Sequence, residues 1–477
     1  MKNKINIFGK YLCFGLLLFV TSSCNDWLDV EPKSQVKDKD LFSSETGFKE
    51  ALAGVYSIMT QEYLYGKELT FGMLGVLGQE WDSQPTVYSD DLNYNYDNTR
   101  SETRIDSLWC GLYNAIANTN KLLEEIEGKE TMFSGVNHDM IKGEALALRG
   151  FLHFDLLRLF GASYAENPQK MAIPYVTTYT SDIYPQDSVG AVITKVLADL
   201  MASLDYLKND PILTGKTVTE TDDNGYLLNR QVHLNYYAVK GLMARVYLYK
   251  KDYRNAALCA SEVIESGRFE WVKQENLTSE STADVTFSTE HLFALNVVDL
   301  ENRAETYFTT GASAFSLNEA TLLGYYESAQ DYRYLYQFKS GTGLSNTTRY
   351  LKKYDQPTGD VPTSYKNKMA LIRLPEMYYI LAECRYHTSG DALTPLNEVR
   401  RHRGISNLSE GDLTNFESLL VSEFRKEIIG EGQLFFCYKR LNSSAIKRSD
   451  VDAIGAGVYK IPIPKDELQN PGWVTNK

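Results

Sequence analysis

A short run early in the chain carries an aromatic ring, an amide and carboxylates side by side. It reads Glu80-Trp81-Asp82-Ser83-Gln84. An indole offers a flat apolar face to the C–H side of a sugar ring, while carboxylate and amide groups bond its hydroxyls. We therefore interpret Trp81 as a candidate stacking platform, with Asp82 and Gln84 as its polar partners.

A second polar and aromatic run, Asp-Leu-Asn-Tyr-Asn-Tyr-Asp, occupies residues 91–97. If this run is extended, Tyr94 and Tyr96 share one face and Asn93 lies on the other. The alternative is an ordinary tyrosine-rich strand or turn without a ligand. The acidic and amide residues also follow the spacing of a calcium loop. However, Tyr96 stands where the sharp turn of that loop requires glycine, so we predict no metal site here, and a looser calcium site is the weaker alternative.

Two long stretches, residues 60–107 and roughly 268–368, are rich in Gly, Ser, Thr, Asn, Asp and Tyr and show little helical periodicity. Loops of this length inside a compact domain are usually functional or disordered, and the density of Trp and Tyr argues against disorder. In the second stretch, Trp271, Tyr325 and Tyr326 are candidates for ligand contact. We expect the ligand-binding residues to lie in these two stretches.

The sequence contains no recognisable catalytic motif. The six histidines are scattered without a His-Glu-x-x-His pair, and there is no Gly-x-Ser-x-Gly elbow. Four glutamates in helical patterns have arginines nearby, so we interpret them as members of structural ion pairs: Glu144, Glu376, Glu383 and Glu431. A surface glycoside hydrolase is the weaker alternative, because two catalytic carboxylates are paired in space rather than in sequence. We predict no cofactor.

The elements that position these residues are mainly helical. Apolar residues recur at helical spacing over residues 46–59, 108–126, 141–160 and 189–207. Residues 235–267 show two short helical patterns around a turn, with small residues where the helices cross, which is typical of a tetratricopeptide-type hairpin. Residues 374–403 are a second candidate. Such units bury their faces only by stacking, so the sequence predicts a mainly α scaffold of helical pairs.

The N-terminus has the order of a secretory signal. Lys2, Lys4 and Lys10 precede an apolar run over residues 11–20, which is too short to span a bilayer, and Thr21-Ser22-Ser23 leads to Cys24. This is the acceptor pattern of a bacterial lipoprotein, so we expect residues 1–23 to be removed and Cys24 to carry the lipid anchor. The alternative is plain signal cleavage near Ser23, with Cys24 an ordinary cysteine.

The charge of the chain limits its partners. The formal charge is −13, and removal of the three signal lysines makes it −16. An acidic protein repels phosphate backbones, which argues against a nucleic-acid partner. Beyond Cys24 the cysteines are Cys110, Cys259, Cys384 and Cys437, each in an apolar helical pattern and far from the others. We expect them to pack as small hydrophobic side chains.

Several blocks in a fixed order resemble the SusD/RagB family of outer-membrane lipoproteins from Bacteroidota. The blocks are residues 24–32 (CNDWLDVEP), 109–113 (WCGLY), 144–151 (EALALRGF), 158–161 (RLFG), 173–176 (IPYV), 373–378 (RLPEMY) and 461–464 (IPIP). The chain departs from the family near residues 425–440. Phe424 interrupts a Glu-Arg-Arg run, and Leu434 and Cys437 stand where the family often has an Arg/Asp pair.

The resemblance implies a fold and a role. The fold is a scaffold of tetratricopeptide-like helical pairs with a loop-rich ligand face, divided into residues 24–230 and a C-terminal region, 231–477, that carries the insert 268–368. The role is capture of a glycan at the cell surface and its delivery to a SusC-like TonB-dependent transporter in the outer membrane. A minority of the family binds peptides instead, so a peptide ligand is the alternative.

Overall fold

The computed structural model describes residues 40–341, 347–470 and 473. The predicted signal segment 1–23 and the predicted lipid-anchor residue Cys24 lie outside these residues.

Helices make up most of the regular structure. In chain order they are α1 Glu45–Met59, α2 Met73–Leu77, α3 Ser89–Leu92, α4 Thr99–Ile126, α5 Asn137–Phe160, α6 Val189–Tyr206, α7 Pro211–Thr214, α8 Tyr236–Tyr249, α9 Tyr253–Glu265, α10 Leu300–Tyr307, α11 Glu319–Tyr325, α12 Tyr332–Tyr336, α13 Leu374–His387, α14 Leu393–His402, α15 Phe416–Ile428 and α16 Gln433–Leu441. The predicted mainly α fold is confirmed.

The long helices lie where the apolar periodicity predicts them, but some begin earlier. Helix α4 starts at Thr99 rather than near residue 108, because the Asn98 side chain caps it by accepting a hydrogen bond from the Arg100 amide. Its first turns are polar and carry no apolar stripe, so periodicity alone does not reveal them. Helix α5 likewise begins at Asn137, ahead of its apolar segment.

Both predicted helical hairpins are confirmed. Helices α8 and α9 pack as a pair, with Asn235 and Asp252 capping their N-termini through side-chain hydrogen bonds to the backbone. Helices α13 and α14 form the second pair, and α9 packs against α13. Helix α5 packs between α4 and α6. The hairpins therefore bury their apolar faces against neighbouring helices, as the stacking argument requires.

The strands form three small antiparallel sheets within the described residues. They are β1 Met171–Pro174, β2 Gln186–Ser188, β3 His291–Asn296, β4 Leu317–Asn318, β5 Phe338–Ser340, β6 Thr348–Leu351 and β7 Lys368–Arg373. Strand β1 pairs with β2, β3 pairs with β7 from His291↔Arg373 to Asn296↔Lys368, and the third sheet has the order β4-β6-β5. Residues 173–174 of the family block at 173–176 lie in β1.

One hydrophobic core extends through the described residues. A single cluster of buried side chains runs from Phe42 near the start to Ile461 near the end. The predicted division at residues 230 and 231 thus crosses a continuous core, and it stays a prediction.

The first predicted loop region is not an exposed loop. Residues 64–81 are all buried except Lys67, which is half-buried. Their backbone forms successive turns and the short helix α2, so most of their polar groups are bonded inside the fold. A segment without helical periodicity is here part of the core.

The cysteine prediction holds for three positions. Cys259, Cys384 and Cys437 are buried, whereas Cys110 is exposed on α4, so the expectation that Cys110 packs in the core is wrong. Within the described ranges, no helix is both long enough and apolar enough to span a bilayer.

Candidate functional site

The two predicted loop regions meet at one point of the surface. Ser83 and Ser316 form an isolated antiparallel bridge, in which the Ser316 amide donates to the Ser83 carbonyl at 2.9 Å. The Asp82 amide also donates to the Ser316 carbonyl at 2.9 Å. Half-buried Gln84 follows directly after the bridge. The bridge therefore places Asp82 and Gln84 beside the second loop region, and their role in ligand binding stays a prediction.

Arg448, from the C-terminal part of the chain, stabilises the junction between the two loop regions. Its guanidinium donates to the carbonyls of Gln79 at 3.1 Å and Trp81 at 3.0 Å, and it forms an ion pair with Asp82. Asp82 uses its other carboxylate oxygen to accept from the Asn318 amide at 2.6 Å. Both oxygens of the Asp82 carboxylate are therefore bonded, and the carboxylate connects Arg448 to the second loop region at Asn318.

Tyr325, at the end of α11, lies half-buried beside the same arginine. Its hydroxyl accepts hydrogen bonds from Arg448 at 3.2 Å and from Arg425 at 3.3 Å. The Arg425 guanidinium carbon and the Lys447 ammonium lie 4.9 and 5.0 Å from the centre of its ring. We call Asp82, Tyr325, Arg425, Lys447 and Arg448 together the Tyr325 face. It combines an aromatic ring, a carboxylate and three cations.

The run at residues 91–97 is not extended, so the predicted alternation of faces is wrong. Residues 89–92 form α3, and Tyr94 follows in a left-handed conformation with a φ of 56°. The Tyr94 hydroxyl accepts a hydrogen bond from the side-chain amide of Gln79 at 3.1 Å. Tyr94 therefore contacts the same residue whose backbone carbonyl binds Arg448. Asn93 is exposed, and its amide is bonded to the Ser89 carbonyl at 2.7 Å.

The interpretation of Trp81 as a surface stacking platform is wrong for this structure. Trp81 is 2% exposed, and its indole N–H donates to the Phe71 carbonyl at 2.9 Å. Its ring packs against Phe308 and Phe315 at centroid distances of 6.0 and 5.5 Å. Trp81 is therefore a core residue, and only its backbone carbonyl takes part in the junction.

Tyr96 and Tyr326 are also buried, at 8% and 2% exposure. Their hydroxyls donate to the carbonyls of Val458 and Lys426 at 2.7 and 2.8 Å. Neither ring presents a face to a ligand, so the prediction that they contact the ligand is wrong for this structure. Both residues hold distant chain segments together.

Trp271 lies elsewhere, in an open groove of about 440 Å³. Its half-buried ring stacks on His402, with a centroid distance of 4.7 Å and an angle of 9°. Tyr332 lines the same groove and donates its hydroxyl proton to the Gln274 side chain at 3.1 Å. This groove has the aromatic and amide groups of a sugar-binding surface, but it is separate from the Tyr325 face in its lining residues.

The four glutamates predicted to form ion pairs do so. Glu144 contacts Arg230 at 2.6 Å, Glu376 contacts Arg245 at 2.6 Å, Glu383 contacts Arg440 at 2.6 Å and Glu431 contacts Lys353 at 2.8 Å. Although burial alone would raise the pKa of Glu144, the charges of His233 and Arg230 hold it at about 2. These carboxylates are engaged inside the scaffold.

A larger network of charges is buried behind the Tyr325 face. Glu427 is its centre and forms ion pairs with Arg333 at 3.0 Å, Arg373 at 2.6 Å and Arg403 at 2.8 Å. The network has four cations and four carboxylates, namely Arg333, Lys353, Arg373, Arg403, Glu290, Asp331, Glu427 and Glu431. Equal numbers of opposite charges in direct contact reduce the cost of burying them.

Three residues of the Tyr325 face were missed by sequence reasoning. Arg425 lies within a helical pattern, and Lys447-Arg448 lies in a C-terminal segment without periodicity. The only signal in the sequence is a pair of adjacent cations in an acidic chain, which by itself indicates a solvated surface. Their significance comes from long-range contacts that the sequence pattern does not contain.

Metal binding finds no support in this arrangement. In the part of the chain that the structure describes, no group of three or more His, Cys, Asp or Glu side chains is placed to hold a metal ion. Asp91, the first residue of the calcium-like spacing, is buried and bonded to Arg104 and to the Ser101 hydroxyl. Its carboxylate is therefore engaged within the protein.

Two family models match the chain and together cover residues 26–472. The first, described as starch-binding associating with outer membrane, matches residues 26–248. The second, the SusD family, matches residues 217–472. Among curated relatives, SusD-like protein P38 of Formosa agariphila is 24% identical over 93% of both chains, and SusD-like protein P2 of the same organism is 23% identical over 90% of this chain and 89% of its own.

Solved structures share the fold at similar identities. A SusD superfamily protein from Bacteroides thetaiotaomicron superposes with a TM-score of 0.70 at 22% identity and covers 90% of this chain and 98% of its own. A protein from Bacteroides vulgatus described as a putative sugar binding protein superposes with a TM-score of 0.68 at 24% identity, covering 90% of this chain and 99% of its own.

Proposed function

Because this chain belongs to the SusD/RagB family, we propose that it is a cell-surface lipoprotein that captures oligosaccharide or polysaccharide. It delivers this ligand to a SusC-like TonB-dependent transporter. Cys24 carries the acyl chains, and these hold the protein on the outer membrane. No nucleic acid takes part, since the chain is acidic.

The observation that supports ligand capture is the convergence of three distant chain segments on one partly exposed face. Arg448 from the C-terminal segment is bonded both to Asp82 from the first loop region and to Tyr325 from the second. An ordered aromatic ring with charged and polar partners is the surface that a sugar ring requires. The ligand contacts the Tyr325 face first, including Asp82, with Gln84 beside it. Exposed Asn93 and the Trp271 groove provide further contacts.

The protein releases its ligand unchanged. Retaining and inverting glycosidases need two carboxylates that flank the scissile bond, one of them acting as an acid. Of the carboxylates at the Tyr325 face, Asp82 is bonded to Arg448 and Asn318. Glu144, Glu376, Glu383 and Glu431 are committed to ion pairs.

Calorimetry of the mature protein in detergent, titrated with a panel of glycans and with a peptide digest, tests the ligand class. We expect heat of binding from at least one glycan and no product in the supernatant by chromatography. Tyr325→Ala weakens this binding if the Tyr325 face is the site, whereas Trp271→Ala weakens it if the groove carries the contact. Tyr179→Ala is the matched control, because Tyr179 is 52% exposed on a loop outside both surfaces.

Two results contradict the proposal. Heat from peptides alone assigns the protein to the peptide-binding branch of the family. Release of shortened glycans that persists after purification assigns it to the hydrolases.

Anchoring and delivery have their own tests. Mass spectrometry of the N-terminal peptide should find diacyl or triacyl modification on Cys24, and Cys24→Ala should release the protein from the membrane fraction. Affinity purification from solubilised outer membranes should recover a TonB-dependent transporter with the wild-type protein. An unmodified Cys24 contradicts lipid anchoring, and purification without any transporter contradicts delivery.

A further inference from the structure

The Tyr325 face carries positive charge that the surrounding protein does not neutralise. Arg425 is 1% exposed, and all of its hydrogen-bond partners are neutral: the Gln79 carbonyl at 3.3 Å and the hydroxyls of Tyr325 at 3.3 Å and Tyr438 at 2.8 Å. Its Nε is buried and has no partner within the described part of the chain. Buried arginines are normally paired with carboxylates, so this one is an exception.

The carboxyl group of Glu80 does not supply the missing negative charge. Burial raises the pKa of Glu80 to about 8, even though the Gly430 amide and the charge of Arg425 favour its ionised form. At neutral pH this group is therefore mostly protonated. Arg425 keeps an uncompensated charge beneath the Tyr325 ring.

Lys447 adds a second unpaired cation at the surface. It is exposed, its ammonium lies 5.0 Å from the centre of the Tyr325 ring, and it forms no ion pair with any described residue. Burial of part of the side chain, followed by the charges of Arg425, Arg448 and Lys426, lowers its pKa. The charged groups that act on Lys447 are thus cations.

The other cations at this surface share a small number of carboxylates. Asp82 pairs with Arg448, while Glu327 and Glu423 each pair with both Arg400 and Lys426. Arg400 and Lys426 are buried and balanced by these two glutamates, so the cations here that form no ion pair with a described residue are Arg425 and Lys447. This local excess occurs in a chain whose formal charge is −13.

From this charge pattern, and resting on the proposed function, we propose that the Tyr325 face binds a glycan with anionic substituents, either sulfate esters or uronic-acid carboxylates. Lys447 contacts the anionic group at the surface, and Arg425 supplies attraction from beneath. Arginine and lysine bind both groups through charge-assisted hydrogen bonds, and the half-buried Tyr325 contacts the sugar.

Matched polymers that differ only in charge test this inference. The mature protein in detergent is titrated with dextran and dextran sulfate, and with polygalacturonate and its fully methyl-esterified form. We expect the charged member of at least one pair to bind at least about tenfold more tightly than its neutral partner, as charge-assisted hydrogen bonds allow. Binding should weaken as sodium chloride rises from low to high concentration. The pair that responds identifies sulfate or carboxylate as the group recognised.

Variants place the binding on this face. Lys447→Gln should weaken binding of the charged polymer about fivefold, and Lys447→Arg should retain it, because the charge is kept. Lys208→Gln is the matched control, since Lys208 is a solvent-exposed lysine on a separate turn, paired only with Asp205. The Lys208→Gln variant should bind the charged polymer with the affinity of the wild type.

The outcomes separate this inference from the proposed function. A neutral polymer or another neutral glycan bound as tightly as any charged one overturns the inference and leaves glycan capture intact. Tight binding of a charged polymer that Lys447→Gln and Lys208→Gln affect equally overturns its placement on the Tyr325 face. Absence of binding to every glycan, charged or neutral, overturns both.

Discussion

Arg448 forms an ion pair with Asp82 although 366 positions separate them in the chain. It does so from a left-handed backbone conformation, with a φ of 76°. Such a conformation is unfavourable for a residue with a side chain and persists only where surrounding contacts determine it. The four groups that Arg448 contacts hold its backbone in this conformation, and they join the C-terminal segment to both loop regions.

A double-mutant cycle measures this connection. Asp82→Ala and Arg448→Ala should each lower the free energy of unfolding by about 1–2 kcal/mol, with a coupling of about 1 kcal/mol between them, because the pair is mostly shielded from solvent. The measurement is urea unfolding followed by circular dichroism. The same cycle on the exposed pair Asp205 and Lys208 should give a coupling near zero. Equal couplings in the two cycles would mean that the Arg448 pair has no special role.

Trp81→Ala should destabilise the whole protein rather than remove a binding contact. Truncating this buried indole leaves a cavity against Phe308 and Phe315 and deletes the hydrogen bond to Phe71, at a cost of about 3–5 kcal/mol. Thermal unfolding should show a large fall in Tm. Trp271→Ala is the comparison, because its ring is half-buried, and its fall in Tm should be smaller. Unchanged Tm with lost glycan binding would restore Trp81 as a ligand contact.

Glu427→Gln should be among the most destabilising single changes in the scaffold. It removes the negative charge that faces Arg333, Arg373 and Arg403, so four buried cations remain against three carboxylates, for a loss of roughly 3–5 kcal/mol. Chemical denaturation gives this value directly. Glu417→Gln, at an exposed position of the same helix, should change stability by less than about 0.5 kcal/mol. Similar losses in both variants would exclude a special role for the network.

Glu80 gives the protein a pH dependence of stability with a definite sign. Its pKa is raised from the ordinary glutamate value of 4.5 to about 8 in the folded state, first of all by burial. Between pH 4.5 and about pH 8, Glu80 is protonated in the folded state but ionised in the unfolded state. The free energy of unfolding therefore falls as pH rises through this range and levels off above about pH 8. In Glu80→Gln a neutral amide of similar size replaces the carboxyl group, so this variant should not show the fall in stability.

Urea unfolding at a series of pH values checks the effect. Wild type and Glu80→Gln should have similar stability near pH 5, and the variant should be more stable by at least about 2 kcal/mol at pH 8.5. Buried bases such as Lys439 titrate in both proteins, so the difference between the two curves isolates Glu80. Parallel curves over this range would show that Glu80 is ionised in the folded state.

The scaffold was predictable because its signals are local. The hairpin at residues 235–267 has apolar periodicity, small residues and a turn within one short segment, and the structure contains it as α8 and α9. The burial of Trp81 has no such local signal, because it depends on Phe308 and Phe315, which are more than 200 positions away in the chain. Irregular backbone can be core or loop, and the sequence pattern does not distinguish them.

The Tyr325 face was predictable only in part. Asp82 and Tyr325 are where the aromatic and polar composition of the loop regions suggests, and the structure brings them together through Arg448. Arg448 and Arg425 have no pattern that separates them from ordinary surface or helix residues. Apart from Asp82, their partners are backbone carbonyls and tyrosine hydroxyls, which every sequence contains in abundance.

The buried ion network also restricts how this sequence can change over time. A single substitution at Glu427 or Arg403 strands a charge in the interior, so such positions are released only when both partners of a pair are exchanged together. Leu434 and Cys437 are buried apolar residues, so a change at either one leaves no charge without its partner. Lys447, which forms no ion pair with a described residue, is under no such restriction. Adaptation to a new ligand can therefore proceed at the surface one residue at a time, while the interior changes only in pairs.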